Sequence, residues 1–496
     1  MKQIYFILIS AVFTVTGGCQ ESSEPGFIEY SKNTLAVKST DFSLHSEEKE
    51  IFVAHYKTYY YAHFELRSSL PLTLKSSEPI NEFEISPESS GIKGTQSGNT
   101  IHFTIERPGY VMIKINKDHR IFIFADKIQK TLNSEVVSIL NYDVDITGDE
   151  IVNSSLQKAL DEISGTGKVL DFPAGIYKTG LLSIKSNSKI HLAPGAILIG
   201  PDEISDLDTE DNIRPRCLIM IKDAENIEIS GRGIIDANGR HLRDIYGDEG
   251  RHRLLLVLNS KNVTLDGIII RDPGSWNTQI LYSEDVIIRN IKMLNDIELS
   301  NTDGFDPDAS KRVLIENCFA YCGDDNVAVK TTNNLGYLQD VEDITVRDCV
   351  FLTKKSALKV GTESNAKVMK NITFENNDVL ESDRGMTLYC YDGATFENIR
   401  FINNRFERNH SDRNQCGIHF RLRKRNTESK IGVMSQILIK DCSFARALPN
   451  LSQIYGYDDD HRIELVIENL TIAGEHCSSQ NEVSVFKSNF ADITYK

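Results

Sequence analysis

The sequence predicts an all-β fold, a right-handed parallel β-helix preceded by a small antiparallel β-sandwich domain. Three observations carry that prediction. A seven-residue strand unit recurs without internal gaps through the second half of the chain, at a spacing mostly in the upper twenties of residues. Residues from roughly 26 to 130 alternate apolar and polar in short runs broken by turn clusters. Between the two lies one short helix signal.

In chain order, residues 1–19 read as an export signal. Lys2 gives a positive start, and Ile4 to Val15 is apolar but too short to span a bilayer. Thr16-Gly17-Gly18-Cys19 resembles a lipoprotein cleavage box, although Thr16 stands where Leu is usual, so Cys19 is expected to carry lipid at the outer membrane or cell surface. An ordinary signal peptide with an incidental Cys is the alternative, and would leave the protein periplasmic or secreted. The acidic stretch 20–26 reads as a tether. Residues 27–130 form the expected sandwich, with runs such as His63-Phe64-Glu65-Leu66 separated by clusters such as Asn116-Lys117-Asp118. Arg120-Ile121-Phe122-Ile123-Phe124 is its most apolar strand and is expected to be its last.

Residues 134–496 form the expected β-helix. Ser154 and Gln157 fit a capping box ahead of a helix whose apolar stripe is Leu156, Leu160 and Ile163. Gly165-Thr166-Gly167-Lys168 lacks the first Gly of a phosphate loop, and Asp143-Val144-Asp145 lacks the closing Glu of a calcium loop, so both are expected to be turns. The repeats follow: 285–291, 312–318, 343–349, 371–377, 398–404 and 436–442 superimpose, each alternating β-branched or aromatic with polar residues before breaking at Asn or Asp. Stacked at about 4.8 Å per coil, they place Ile291, Cys318, Cys349, Asn377, Asn404 and Cys442 in one interior column, with Asn377 pairing Asn404.

Composition narrows the partners. A formal net charge of -16 opposes a nucleic-acid-binding surface. The cysteines suit interior packing rather than a disulfide framework, and Cys318 with Cys322 lacks a second pair at zinc spacing. No cofactor or metal is expected, and the membrane enters only through the lipid anchor.

The chemistry sits in Asn301-Thr302-Asp303-Gly304 and, one coil on, Gly323-Asp324-Asp325. Residues at matching positions of successive coils share one face, so Asp303, Asp324 and Asp325 converge. Clustered carboxyls cannot all ionise cheaply, so one holds a proton beside ionised neighbours, as glycoside hydrolysis requires. Taken singly, each motif reads as turn chemistry; their joint appearance on successive coils favours catalysis.

On these residues the chain resembles glycoside hydrolase family 28, the polygalacturonases, from about residue 134 onward, and Lys168 to Gly175 resembles that family's first coil. The strand-rich N-terminal segment is similar to that of family 49 dextranases. The resemblance implies an inverting hydrolase with Asp324 as general acid and Asp303 with Asp325 as base, held closer than inverting carboxylates generally are. Two departures stand out. The family's Gly-His-Gly turn falls at Lys355-Ser356-Ala357, and its uronate-binding Arg-Ile-Lys at Thr387-Leu388-Tyr389, so the usual charge-assisted contacts to a uronate are missing. The expected substrate is therefore a polysaccharide or oligosaccharide in an altered pocket. Candidate substrate-binding residues are Trp276, Asn301, Lys359, Glu363, Arg384, Tyr389 and Tyr391. Arg421 and Arg423 share a strand face that either grips an anionic sugar or is a solvated edge, and His419 reads as structural. A lyase or epimerase, and a non-catalytic carbohydrate-binding β-helix, are the competing readings.

Overall fold

A computed structural model describes residues 26–30, 35, 37–47, 49–117, 119–129, 131–209, 216–410 and 416–496. The expected leader, tether and lipidated Cys19 lie outside the described residues. Among the described residues, no helix is long and apolar enough to cross a membrane.

The body of the molecule is a right-handed parallel β-helix. Three parallel sheets, of thirteen, thirteen and eleven strands, run its length, although the second ends in one antiparallel pair. The repeat register is the one read from the sequence: Val286, Val313, Ile344, Ile372 and Ile399 stack directly, one per coil, in the first sheet. The first and sixth residues of each unit have positive φ. Asp285, Asp343, Asn371 and Asn398 do so at the first position, and Asn290, Asn317, Asp348, Asn376, Asn403 and Asp441 at the sixth. Left-handed backbone is strained for most residues but tolerated by Asn and Asp, which explains why the repeat breaks where it does. Their side chains then bond from coil to coil, as in Asn317 to Asn290 (2.6 Å) and Asn398 to Asn371 (2.9 Å).

The interior column is continuous from Cys318. Cys318 N–H donates to Cys349 Sγ (3.4 Å), Cys349 N–H to Asn377 Oδ1 (3.1 Å), and Asn377 Nδ2 to Asn404 Oδ1 (2.9 Å). Eight cysteines are free thiols among the described residues.

The helix Asn153–Ile163 caps the solenoid and buries Leu156, Leu160 and Ile163, but the expected capping box does not form. Val152 occupies the N-cap with no side-chain bond. Gln157 instead exchanges two hydrogen bonds of 2.9 Å with the backbone of Ser183, docking the helix on the next coil. The segment after Asp143 is a turn, as expected: Asp145 accepts from the backbone of Thr147, Gly148, Asp149 and Glu150.

The N-terminal strands form two packed sheets of seven and five strands. His119–Asp126 is the last strand, and it pairs parallel with Tyr59–Leu66, an exception to the antiparallel expectation. Both of its faces are buried, which explains the uninterrupted apolar run. Ile121 and Ile123 enter the sandwich core, while Phe122 and Phe124 pack on the second sheet of the β-helix against Phe319 and Tyr321. Charge locks the junction further: Asp126 takes Lys292 (2.9 Å) and Arg232 (2.9 Å) from the β-helix, and is hydrogen-bonded within the sandwich to His63 (2.7 Å).

Candidate active site

The turns that enter the third sheet carry the candidate residues. Asp303 precedes the strand Phe305–Asp308, and Asp324 and Asp325 precede Val327–Thr331 on the next coil. Phe305 pairs with Val327, so Asp303 lies beside Asp325. The backbone is bonded through both turns: Gly304 N–H donates to Asp325 O (2.8 Å) and Phe305 N–H to Asn326 O (2.9 Å). Glycine is needed at 304, because a Cβ there would lie 2.4 Å from Asn326 O. Beneath the surface, buried amides hold the turn: Asn277 donates to Asn295, and Asn295 to Thr302 O.

One oxygen from each of Asp303, Asp324 and Asp325 lies within 4.8 Å of the others. Their environments differ. Burial, followed by the charges of Asp303 and Asp325, pushes Asp324 up to about 7. Burial also opposes ionisation of Asp325, but Lys359 (Nζ to Oδ2, 2.6 Å) and Arg384 outweigh it and hold that carboxyl down to about 2. Ser356 N–H adds a bond to Asp325 Oδ1 (2.9 Å). Asp303 is raised, chiefly by burial and despite Lys330 (Nζ to Oδ2, 2.7 Å). One carboxyl thus keeps its proton to neutral pH beside one ionised throughout that range, an arrangement suited to paired acid and base work.

The family model for Glycosyl hydrolases family 28 matches residues 165–444, more than half of the chain. The chain belongs to that family. It is 23% identical over 359 residues to an exo-poly-alpha-D-galacturonosidase of Dickeya chrysanthemi, and 24% identical over 266 residues to a probable polygalacturonase of Vitis vinifera. These alignments cover 60% and 49% of this chain but only 58% and 54% of the relatives' own lengths. Two solved structures share the fold. An exopolygalacturonase from Thermotoga maritima matches with TM-score 0.61 and 21% identity, over 74% of this chain and 92% of its own. Dex49A from Penicillium minioluteum matches with TM-score 0.65 and 12% identity, over 94% and 96%, and so spans the sandwich as well.

Within this family 28 chain the two departures take definite form. Ser356, where the family's His is expected, accepts from Arg384 Nε (2.7 Å) while its backbone bonds Asp325. Thr387 is buried, and Tyr389 stacks on Tyr391 (5.1 Å) with its hydroxyl bonded to His419 Nδ1 (2.8 Å). His419 is pushed down to about 3 by burial and by Arg421 and Arg384, so it is neutral. Tyr391 lies behind Tyr389, with the Arg423 guanidinium 4.1 Å from its ring.

The other candidates are placed around the carboxyls by their own contacts. Glu363 is 3.5 Å from Arg425 and its charge reaches Lys330. Asn301 is exposed and accepts from Arg251. Trp276 is half-buried, with Lys330 Nζ 3.4 Å and Arg253 4.3 Å from its ring. Sequence reasoning missed Lys330, Asp306 and Arg253. The available signal was the alternation in Val327-Ala328-Val329-Lys330, which turns Lys330 to the outer face of the sheet.

Proposed function

We propose that the protein is an inverting glycoside hydrolase that cleaves glycosidic bonds in a polysaccharide or oligosaccharide. The observation that carries this reading is the convergence of three carboxyls within 4.8 Å in unlike surroundings: Asp325 is held by Lys359 and Ser356 N–H, whereas Asp324 has no ion pair among the described residues and is pushed up by burial and by its two neighbours. Asp324 donates its proton to the departing glycosidic oxygen. Asp303 and Asp325 take a proton from the water that attacks the anomeric carbon, and no covalent intermediate forms. On spacing alone, oxygens within 4.8 Å lie nearer the roughly 5–5.5 Å of retaining enzymes than the 6.5–9.5 Å of inverting ones. Family membership favours inversion, and the first-formed anomer decides between them.

The substrate pocket is altered from that of a galacturonate enzyme. Thr387 and Tyr389 offer no cation where Arg and Lys are expected, and Lys359 and Arg384 are engaged with Asp325 and Ser356. Trp276, Asn301, Lys359, Glu363, Arg384, Tyr389 and Tyr391 form the proposed walls. The proposed organisation is a leader over 1–19, a tether over 20–26, a sandwich over 27–130 and a catalytic β-helix over 134–496, exported and anchored through Cys19. Incubation with a panel of plant, algal and host glycans, followed by NMR of the first-formed anomer, tests the reading. Ultraviolet-absorbing products would assign a lyase instead, and glycan binding without cleavage an adhesin.

A further inference from the structure

Beneath the three carboxyls lies a second charged cluster that the proposed reaction does not use. Lys330 is buried, with 3% of its side chain exposed. Its ammonium lies 2.7 Å from Asp303 Oδ2, 2.9 Å from Asp306 Oδ1 and 3.4 Å from the Trp276 ring. Asp306 is fully buried, and apart from this ammonium neither of its oxygens has a partner among the described residues. Asp308, two residues on, is satisfied by Thr332 and Gln279, so it does not compete for the lysine.

We infer that Lys330 is a positioning residue that fixes the Asp303 carboxylate and keeps it ionised as the base, with Asp306 as the neutral seat on which the ammonium rests. The inference deepens the hydrolase reading and depends on it. One ammonium faces two buried carboxyls, and both cannot be ionised at acceptable cost in so dry a site. Asp306 is the more deeply enclosed of the two, lies farther from the ammonium and has no other stabilising partner, so it keeps the proton. Burial drives it well above the usual carboxylate range, in the same direction. Asp303 opens toward Asp324 and Asp325, and the lysine favours its charged form. The other charges acting on Asp303 and Asp306 are Asp324, Asp325, Lys359 and Arg253, and Glu363 acts on Lys330 from the next coil. The Trp276 ring covers the ammonium and shields the pair from water.

The test is Lys330→Met beside Lys330→Arg, read in two ways. The first is the pH profile of hydrolysis. An opposite charge at this range lowers a carboxyl by roughly one to three units, so Lys330→Met is expected to move the acid limb upward by that amount. It is also expected to cut kcat at least tenfold at pH 5 with KM within about threefold, and Lys330→Arg to restore part of the loss. The second is carbon-13 NMR titration of side-chain-labelled Asp in the folded protein, with the Asp303 signal assigned by its loss in Asp303→Asn. It needs no substrate, so it stands even if the wild type cleaves nothing and the hydrolase reading fails. An Asp303 titration or acid limb unchanged in folded Lys330→Met overturns the inference. Should that variant not fold, Asp306→Asn replaces it: the amide keeps the neutral seat without a titrating group, so the Asp303 titration must stay in place, and a fall would show that Asp306 carried charge and overturn the inference.

Discussion

Replacing Asp324 with Asn removes the proton donor while leaving its surroundings almost intact. The amide oxygen still accepts from Asp325 N–H at 3.0 Å, so the turn is expected to hold. Burial and the neighbouring charges of Asp303 and Asp325 push wild-type Asp324 up to about 7, so it still carries a proton toward neutral pH, and the variant has none to give. A positioned general acid contributes roughly 10²–10⁴ in rate, or about 3–5 kcal/mol of barrier. The variant is therefore expected to lose at least a hundredfold in kcat on a natural glycoside. It should lose far less on an aryl glycoside, whose leaving group departs without protonation. The alkaline limb near pH 7, where the wild type loses this proton as pH rises, should vanish. Reducing-end assays from pH 4 to 9 on both substrates measure all three effects. A variant that keeps about a tenth or more of its activity on the natural substrate, or keeps the alkaline limb, refutes the assignment of Asp324.

Lys359→Met leaves the buried Asp325 carboxylate without its cation and is expected to destabilise the fold by about 3 kcal/mol at pH 7. Asp325 sits below its usual value, so the stability it contributes is present above about 4 and fades toward about 2; the variant's deficit in calorimetry should shrink over the same acid range. Glu407 behaves in the opposite sense. Burial raises it to about 7 at the sandwich junction, where it accepts from Ser86 and from Glu88 N–H, so the folded state binds more protons than the unfolded one from about 4.5 to 7 and stability falls across that window. Glu407→Gln should accordingly raise Tm at pH 8, by on the order of 1–3 kcal/mol of stability, and change little at pH 4. Asn377→Ala orphans Cys349 N–H and Val346 O and should cost about 1–3 kcal/mol for each buried group left unpaired, seen as a lower Tm with unchanged chemistry at the carboxyls.

The coils were legible because each unit writes its own geometry. Asn or Asp marks the left-handed positions, and alternation marks the buried face, so Cys349 could be placed against Asn377 before any coordinate was known. Asp303 and Asp325 were brought together by the same register. The sequence was silent wherever a side chain reaches across coils to satisfy a charge. Lys330 looks like one more polar residue in a strand until its partners 27 and 24 residues upstream, Asp303 and Asp306, are seen. The capping box failed for a related reason: Gln157 found a stronger partner in Ser183 on the neighbouring coil than in its own helix end. Nor did Trp276 point to Lys330 or Arg253, which the structure sets against its ring.

The sandwich also acts as a ruler. Solenoids normally tolerate the gain or loss of whole coils, because each coil meets only its neighbours. Here the outer face of the second sheet carries apolar residues on consecutive coils, from Ile176 through Ile197, Ile234, Ile269, Leu294 and Phe319 to Val350 and Leu380, and the sandwich covers them. Eight strands at about 4.8 Å measure about 34 Å along the axis. An inserted coil inside that span would slide Lys292 away from Asp126 and Glu381 away from Lys114 and Arg120. Length can vary at the two ends of this molecule, but in the stretch that holds the carboxyls the number of coils is fixed by the domain lying across them.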